Sequence, residues 1–342
     1  MNKYICAVAG RSGGHIIPCI IYAEQLKKNL PNSKLLFFST GNQLDTAIIK
    51  DFPSITYHST LPLDGIPTKK NFFSYFSFVI QLIISTFKIF YHLITKRPSV
   101  IISTGGYVSV PVCIIGYLLR IRVELFELNI VPGKATLFLA RFASIIHTCF
   151  SETKNYFKKY KTDLIEYPVR FNNQKLLSRE DALKKLNFSS TKKTILILGG
   201  SQGSFFINEL IKKACLLDKN YFSNIQIIHQ TGQQVASLKE FYQEQNIINV
   251  TFSYTAHINE FYPAADLVLC RAGAGTLFET LFFKKPAIII PLETITTDHQ
   301  LDNALSFSKE HPELFSVLRQ KELETNSSLF IQQVQYLLDS KR

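Results

Sequence analysis

The 342 residues contain no C-x-x-C pair, no Asp-x-Asp pair and no G-x-G-x-x-G turn. Each absence removes a class of chemistry. The six cysteines, Cys6, Cys19, Cys113, Cys149, Cys215 and Cys270, lie too far apart for a zinc site or a disulfide framework, as in cytosolic chains. Without Asp-x-Asp the chain lacks the paired hard-oxygen ligands that usually hold a divalent metal against a phosphorylated substrate, so no metal and no cofactor is expected. Without the dinucleotide fingerprint, a nicotinamide or flavin reading is weak. Acidic residues are scarce, 26 Asp and Glu against 38 Lys and Arg, which leaves a net charge of +12. That excess suits an anionic partner, namely nucleic acid, an anionic membrane or a phosphorylated ligand. No nucleic-acid motif accompanies it, so no nucleic acid is expected.

With 46% hydrophobic and 19% charged residues, the chain is too apolar to be disordered, and its length exceeds what one core usually serves. The N-terminal apolar run is too short for a signal peptide and is interrupted at once by glycines. Residues 72–94, FFSYFSFVIQLIISTFKIFYHLI, pose a separate question, because Lys88 and His92 are their only strongly acidic or basic side chains. The run is long enough to cross a bilayer. Its Ser74, Ser77, Gln81, Ser85 and Thr86, with Lys69, Lys70, Lys96 and Arg97 at its ends, equally suit a helix lying on an anionic membrane surface or a buried core helix.

Two stretches share one plan. YICAVA leads through Gly10-Arg-Ser-Gly13-Gly14 into a helix, and TILIL leads through Gly199-Gly200-Ser-Gln-Gly203 into another. A glycine turn between strand and helix presents backbone N–H groups and a helix N-terminus to an anion. Further continuous apolar runs at 34–40, 99–104, 122–128, 144–150, 225–231, 267–271 and 287–291 read as parallel strands covered on both faces, with helical segments between. The expected architecture is α/β, two facing Rossmann-like domains with parallel sheets. The domains are expected at 1–166 and 167–342, divided near Tyr167-Pro168, with a terminal helix at about 328–339 that packs back on the first domain.

Candidate chemistry sits at these turns. Ser12, Gly13, Gly14 and His15 enter the first helix, and His is the side chain best suited to take a proton near neutral pH. Glu127, a second catalytic candidate, and Asn129 end a strand at the edge where α/β ligands bind. Arg170 can neutralise a pyrophosphate. Cys270-Arg-Ala-Gly-Ala-Gly-Thr-Leu-Phe-Glu279 turns from a strand into a helix whose first turn would carry Glu279, either as a dipole partner or as a ribose ligand. Asp298-His-Gln300 and Asn303-Ala304 follow another strand, where amides can read sugar hydroxyls.

Together, Gly10-Arg-Ser-Gly-Gly-His15-Ile-Ile-Pro18, Gly105-Gly-Tyr-Val-Ser109, Tyr167-Pro-Val-Arg170, Gly199-Gly-Ser-Gln-Gly203 and Cys270-Arg-Ala-Gly followed by Asp298-His-Gln resemble glycosyltransferase family 28, in particular its MurG group. The resemblance implies a GT-B fold and inverting transfer of N-acetylglucosamine (GlcNAc) from UDP-GlcNAc to the C4 hydroxyl of N-acetylmuramic acid (MurNAc) in lipid I, undecaprenyl-pyrophosphoryl-MurNAc-pentapeptide. The product is lipid II, for peptidoglycan synthesis and hence cell wall, shape and division. The enzyme would be peripheral at the cytoplasmic face of the inner membrane, touching it through residues 72–94. By matching position, His15 is implied as general base beside Ser12, Gly13 and Gly14. Asn129, Arg170, Ser201, Gln202, Gly203, the run Ala274, Gly275, Thr276, Leu277, Phe278 and Glu279, and Gln300 are implied on the donor, with Thr255 near the uracil. The chain departs from the family pattern at Arg11 (usually Gly), Phe126 (His), Leu128 (Gln), Ile130 (Gly) and Ala272 (Ser). Alternatives are a GT-B transferase acting on another lipid such as diacylglycerol, a UDP-sugar epimerase on a similar fold, and a non-catalytic nucleotide-binding membrane adaptor.

Overall fold

The computed structural model describes residues 4–63, 65, 72–171, 176–200, 202–255, 257–293 and 299–339. The chain divides into two compact units, Met1–Arg170 and Phe171–Arg342. The division falls between Arg170 and Phe171 rather than between Glu166 and Tyr167, because the Phe171 ring packs on Tyr262, Phe282 and Phe283 of the second unit.

The first unit runs β1 (Tyr4–Val8), α1 (Gly13–Asn29), β2 (Lys34–Ser39), α2 (Gln43–Lys50), β3 (Ile55–Thr60), α3 (Phe72–Lys96), β4 (Val100–Ser103), α4 (Ser109–Leu118), β5 (Arg122–Glu127), α5 (Lys134–Leu139), β6 (Ile145–Thr148) and β7 (Thr162–Leu164). Its sheet is parallel, in the order β3-β2-β1-β4-β5-β6-β7, with Ile5 of β1 in register with Leu35 on one side and Val100 on the other. Cys6, Val8, Leu36, Phe38, Ile101 and Leu125 form one core with Ile89 and Leu93 of α3 and Val112 and Cys113 of α4.

The second unit runs α6 (Arg179–Lys185), β8 (Lys193–Leu198), α7 (Phe205–Leu217), α8 (Lys219–Phe222), β9 (Ile225–Gln230), α9 (Val235–Glu244), β10 (Asn249–Phe252), β11 (Leu267–Cys270), α10 (Ala274–Phe282), β12 (Ala287–Ile289), α11 (His299–Glu310), β13 (Phe315–Val317), α12 (Gln320–Thr325) and α13 (Ser328–Asp339). Its parallel sheet follows the order β10-β9-β8-β11-β12-β13. In both sheets the order reverses beside the unit's first strand, between β1 and β4 and between β8 and β11, which is where doubly wound folds open a ligand crevice.

The continuous apolar runs are the inner strands of both sheets. The strands without such a run, β3, β7, β10 and β13, are the four sheet edges, half-exposed and short of the apolar continuity that burial on both faces imposes. The terminal helix begins at Ser328 and ends at Asp339. Its apolar stripe, Phe330, Val334 and Leu338, packs into the second unit's core with Leu210 and Leu267. Residues 72–96 are not a core helix, since α3 buries only Ser85, Ile89 and Leu93.

His229, on β9, is buried with its Nδ1 2.8 Å from the Tyr242 hydroxyl, and desolvation lowers its pKa from 6.5 to about 3. The folded state therefore refuses a proton that the unfolded chain accepts below about pH 6.5. Stability from this group is complete above that pH and is lost as pH falls towards 3. Denaturant midpoints at pH 7 and pH 5 should show the loss, and His229→Gln should remove up to about 1.4 kcal/mol per pH unit of that slope.

Candidate active site

The first crevice is built around a buried carboxylate. Asn42 caps α2 by accepting from the backbone N–H of Asp45 at 2.7 Å. Asp45, fully buried in the first turn of α2, accepts from the Arg11 N–H at 2.8 Å, the Thr40 N–H at 3.1 Å and the Thr40 hydroxyl at 2.6 Å. Gly10 lies against the same group, where an added Cβ would stand 3.1 Å from Asp45 Oδ2. Held this way, Arg11 takes a left-handed backbone (φ +69°), a conformation costly for a side chain other than glycine. Its guanidinium stacks 4.8 Å from the Tyr107 ring centroid, and the Tyr107 hydroxyl donates to the Leu63 carbonyl at 2.6 Å.

The chain then enters α1. Ser12 is the extended N-cap residue, its side chain caps nothing, and the first turn holds no acid that would compete for an incoming anion. His15 Nδ1 lies 2.9 Å from the carbonyl oxygen of Thr104, while the Thr104 hydroxyl donates to the His15 carbonyl at 3.0 Å. A carbonyl only accepts, so Nδ1 carries the proton and Nε2 keeps its lone pair. His15 is thus fixed in a base-competent tautomer across the β1–β4 gap.

Glu127 is buried at the end of β5. It accepts from the Asn129 backbone N–H at 3.1 Å, the Asn129 side-chain amide at 3.3 Å and the Gly133 N–H at 3.0 Å. With both oxygens engaged, this carboxylate shapes the 128–133 loop and presents Asn129. Phe126 and Leu128 are buried, Phe126 stacked on His147 at 4.6 Å, so these departures from the family pattern add apolar packing.

The second crevice follows the same plan. Gly200 and Gly203 adopt φ +90° and +77°, and Gly203 packs on Gly232 so closely that a Cβ would come within 2.6 Å of its Cα. Ser204 caps α7, accepting from the Ile207 N–H at 3.4 Å. Arg271, just past β11, is buried, donating to the Ser204 hydroxyl at 3.2 and 2.8 Å and to the Ile290 and Pro291 carbonyls at 3.1 and 3.3 Å. Burial lowers its pKa to about 10, which leaves it charged at neutral pH. On α11, Gln300 Oε1 accepts from the Ala272 N–H at 3.2 Å and the Leu292 N–H at 3.0 Å, and Asn303 donates to the Ala272 carbonyl at 3.3 Å. Any sugar contact from Gln300 therefore falls to its amide nitrogen.

Helix α10 opens at Ala274, so Glu279 is its sixth residue and stands beyond the first turn where the sequence placed it. Ala274, Gly275 and Thr276 form the helix entry. Leu277 is fully buried, which leaves it only backbone for a ligand, and the half-buried Phe278 packs edge-on against Phe307 at 4.9 Å. Gln202 and Gly203 lie in the glycine loop, while Ser201 and Asp298 fall outside the described residues. Thr255 stands in the turn after β10, its hydroxyl accepting from the His257 N–H at 3.0 Å. Arg170 is the last residue of the first unit.

Sequence reading missed Asp45, Thr104 and the charge on Arg271. Only Asp45 had a local signal, an Asn-x-x-Asp helix start. The cysteine thiols are raised by burial, five of them to about 12, so none of the six is a thiolate nucleophile near neutral pH. Asp45→Ala should leave the Arg11 and Thr40 donors unsatisfied and cost about 2–4 kcal/mol by thermal or denaturant unfolding.

Comparison with known proteins follows this division. Residues 5–148 match the glycosyltransferase family 28 N-terminal domain and residues 194–341 the glycosyltransferase family 28 C-terminal domain. The UDP-N-acetylglucosamine–N-acetylmuramyl-(pentapeptide) pyrophosphoryl-undecaprenol N-acetylglucosamine transferase of Francisella tularensis subsp. tularensis is 34% identical over 89% of this chain and 81% of the relative. Its namesake from Thermosipho melanesiensis is 30% identical over 94% and 89%. The crystal structure of Acinetobacter baumannii MurG superposes with a TM-score of 0.68 over 99% of this chain and 92% of that one, at 23% identity. The UDP-GlcNAc 2-epimerase of Methanocaldococcus jannaschii superposes at 0.56 over 98% and 93%, at 13% identity, so the fold by itself does not separate transferase from epimerase. Sequence does separate them, and this chain belongs to glycosyltransferase family 28.

Proposed function

We propose that this protein transfers GlcNAc from UDP-GlcNAc to the C4 hydroxyl of MurNAc in lipid I, forming lipid II with inversion at the anomeric carbon. The observation that carries the mechanism is the hydrogen bond between His15 Nδ1 and the Thr104 carbonyl, which leaves Nε2 as the basic nitrogen. Nε2 takes the proton of the C4 hydroxyl, O4 bonds to the anomeric carbon, and the bond from that carbon to UDP breaks with its electron pair leaving on the diphosphate. The N–H groups of the glycine loop and the entries of α7 and α10 meet that charge, with Arg170 and the unplaced Ser201 as further contacts. Glu279 takes the ribose, Gln300 the GlcNAc hydroxyls and Thr255 the uracil. Glu127 acts by presenting Asn129. Because the base belongs to the first domain and most donor elements to the second, with Asn129 and Arg170 the exceptions, donor binding is separable from turnover.

The exposed face of α3 supports membrane association. Its inward positions mix polar Ser74, Gln81, Ser85 and His92 with apolar Phe78, Ile89 and Leu93, whereas Phe72, Phe73 and Phe87 are 78%, 76% and 71% exposed. A helix facing only water would not present so many large apolar side chains. At about 2 kcal/mol for each large apolar side chain removed from water, a bilayer surface is the environment that suits this face. The C-terminal half of α3 is fixed by Ile89 and Leu93 in the first unit's core, so the helix lies on the membrane as part of the domain rather than crossing it. The neighbouring Lys88, Lys96 and Arg97 suit anionic headgroups. These features support a peripheral enzyme at the cytoplasmic face.

Purified protein should release UDP from UDP-GlcNAc only when a lipid I analogue is present, with or without a chelator. His15→Ala should lower kcat by roughly a hundredfold or more with UDP affinity unchanged, and unchanged turnover would remove His15 as the base. Diacylglycerol in place of the lipid I analogue should give no product. For the membrane face, Phe73→Ser with Phe87→Ser should weaken partition to vesicles containing phosphatidylglycerol at least about tenfold. Turnover of a water-soluble acceptor analogue should not change in that variant, and equal partition by it and wild type would exclude α3 as the anchor.

A further inference from the structure

The second crevice holds a charge that its own scaffold does not require. Arg271 leaves the end of β11 and reaches two other loops at the same sheet edge, the Ser204 cap of α7 and the Ile290–Pro291 segment after β12. Every partner it has among the described residues is neutral. They are a hydroxyl, two carbonyls and the Phe206 ring at 5.6 Å, with no carboxylate in salt-bridge range. Other arginines of this unit are matched, Arg179 by Asp266 and Arg319 by Glu293. A guanidinium held out of water without a counter-ion is costly, and a neutral amide can bridge a hydroxyl and carbonyls without that cost.

Ser204 shows where the charge is directed. Its hydroxyl oxygen accepts from Arg271 and from the Ile207 N–H, and its own proton is given to no described residue. A hydroxyl polarised by a cation on its oxygen becomes a stronger donor on its hydrogen. It stands at the N-terminus of α7, directly after the Gly199–Gly203 loop.

Resting on the donor assignment above, we propose that Arg271 is a positioning residue supplying the fixed positive charge for the diphosphate of the bound nucleotide, acting through the Ser204 hydroxyl, which donates to a phosphate oxygen. The diphosphate is then matched to a buried cation through one hydroxyl, and the uridine end owes nothing to this contact.

Calorimetric titration of the full chain with UDP, uridine and inorganic pyrophosphate tests this. Arg271→Gln should weaken UDP and pyrophosphate by at least about tenfold while uridine stays within twofold, and Arg271→Lys should recover most of the UDP affinity. Ser204→Ala should lose UDP affinity selectively in the same way, and combining it with R271Q should add little to the loss. Equal weakening of uridine and UDP by R271Q would assign Arg271 to scaffold alone, and unchanged UDP affinity would also overturn the proposal. Should R271Q fail to fold, R271K and S204A decide. Selective UDP loss in S204A, with affinity kept in R271K, supports the relay, and UDP affinity unchanged in S204A overturns it. Wild-type protein that binds neither UDP nor pyrophosphate would overturn the donor assignment itself, a different outcome from wild-type binding that R271Q leaves intact.

Discussion

A parallel sheet whose strand order reverses beside its first strand leaves a gap at its carboxyl edge, because the loops after the two adjacent strands run off in opposite directions. Both domains are organised around that gap. In the first, the turns after β1 and β4 meet across it through the reciprocal bonds of His15 and Thr104. In the second, the turns after β8 and β11 are tied together by Arg271 and Ser204, and α11 clamps the Ala272 peptide from above through Gln300 and Asn303. The same topology orients a histidine in one domain and an arginine in the other. Each orientation depends on polar groups that span elements brought together only by the strand order.

How much of this the chain reveals by itself follows from the range of the forces involved. Inner strands are legible because burial on both faces demands unbroken apolar runs, as in KLLFFS and TILIL. The four edge strands are not, because a half-exposed strand such as ITYHST carries no such demand. The glycine turns are readable as local geometry. Thr104 is not, since its role is a backbone carbonyl 89 positions from the histidine it orients. Arg271 was visible only as a residue at a strand end, because the neutrality of its surroundings is a property of three loops. Glu279 was placed one turn too early because Gly273 and Gly275 blur where a helix starts.

Three departures from the family pattern acquire physical meaning. Phe126 near the end of β5 and Leu128 just after it are buried, where they exchange polarity for packing. Arg11 is different. It holds a backbone shape that glycine takes freely, and it is kept there by Asp45 from below and Tyr107 from the side.

The acceptor that sets the tautomer of His15 is a main-chain carbonyl. Catalytic bases oriented by a carboxylate can be disarmed by a single substitution of that partner. Here no replacement at position 104 removes the oxygen, so the tautomer of the neutral imidazole is written into the course of β4 and survives any drift in side chains that leaves the sheet intact.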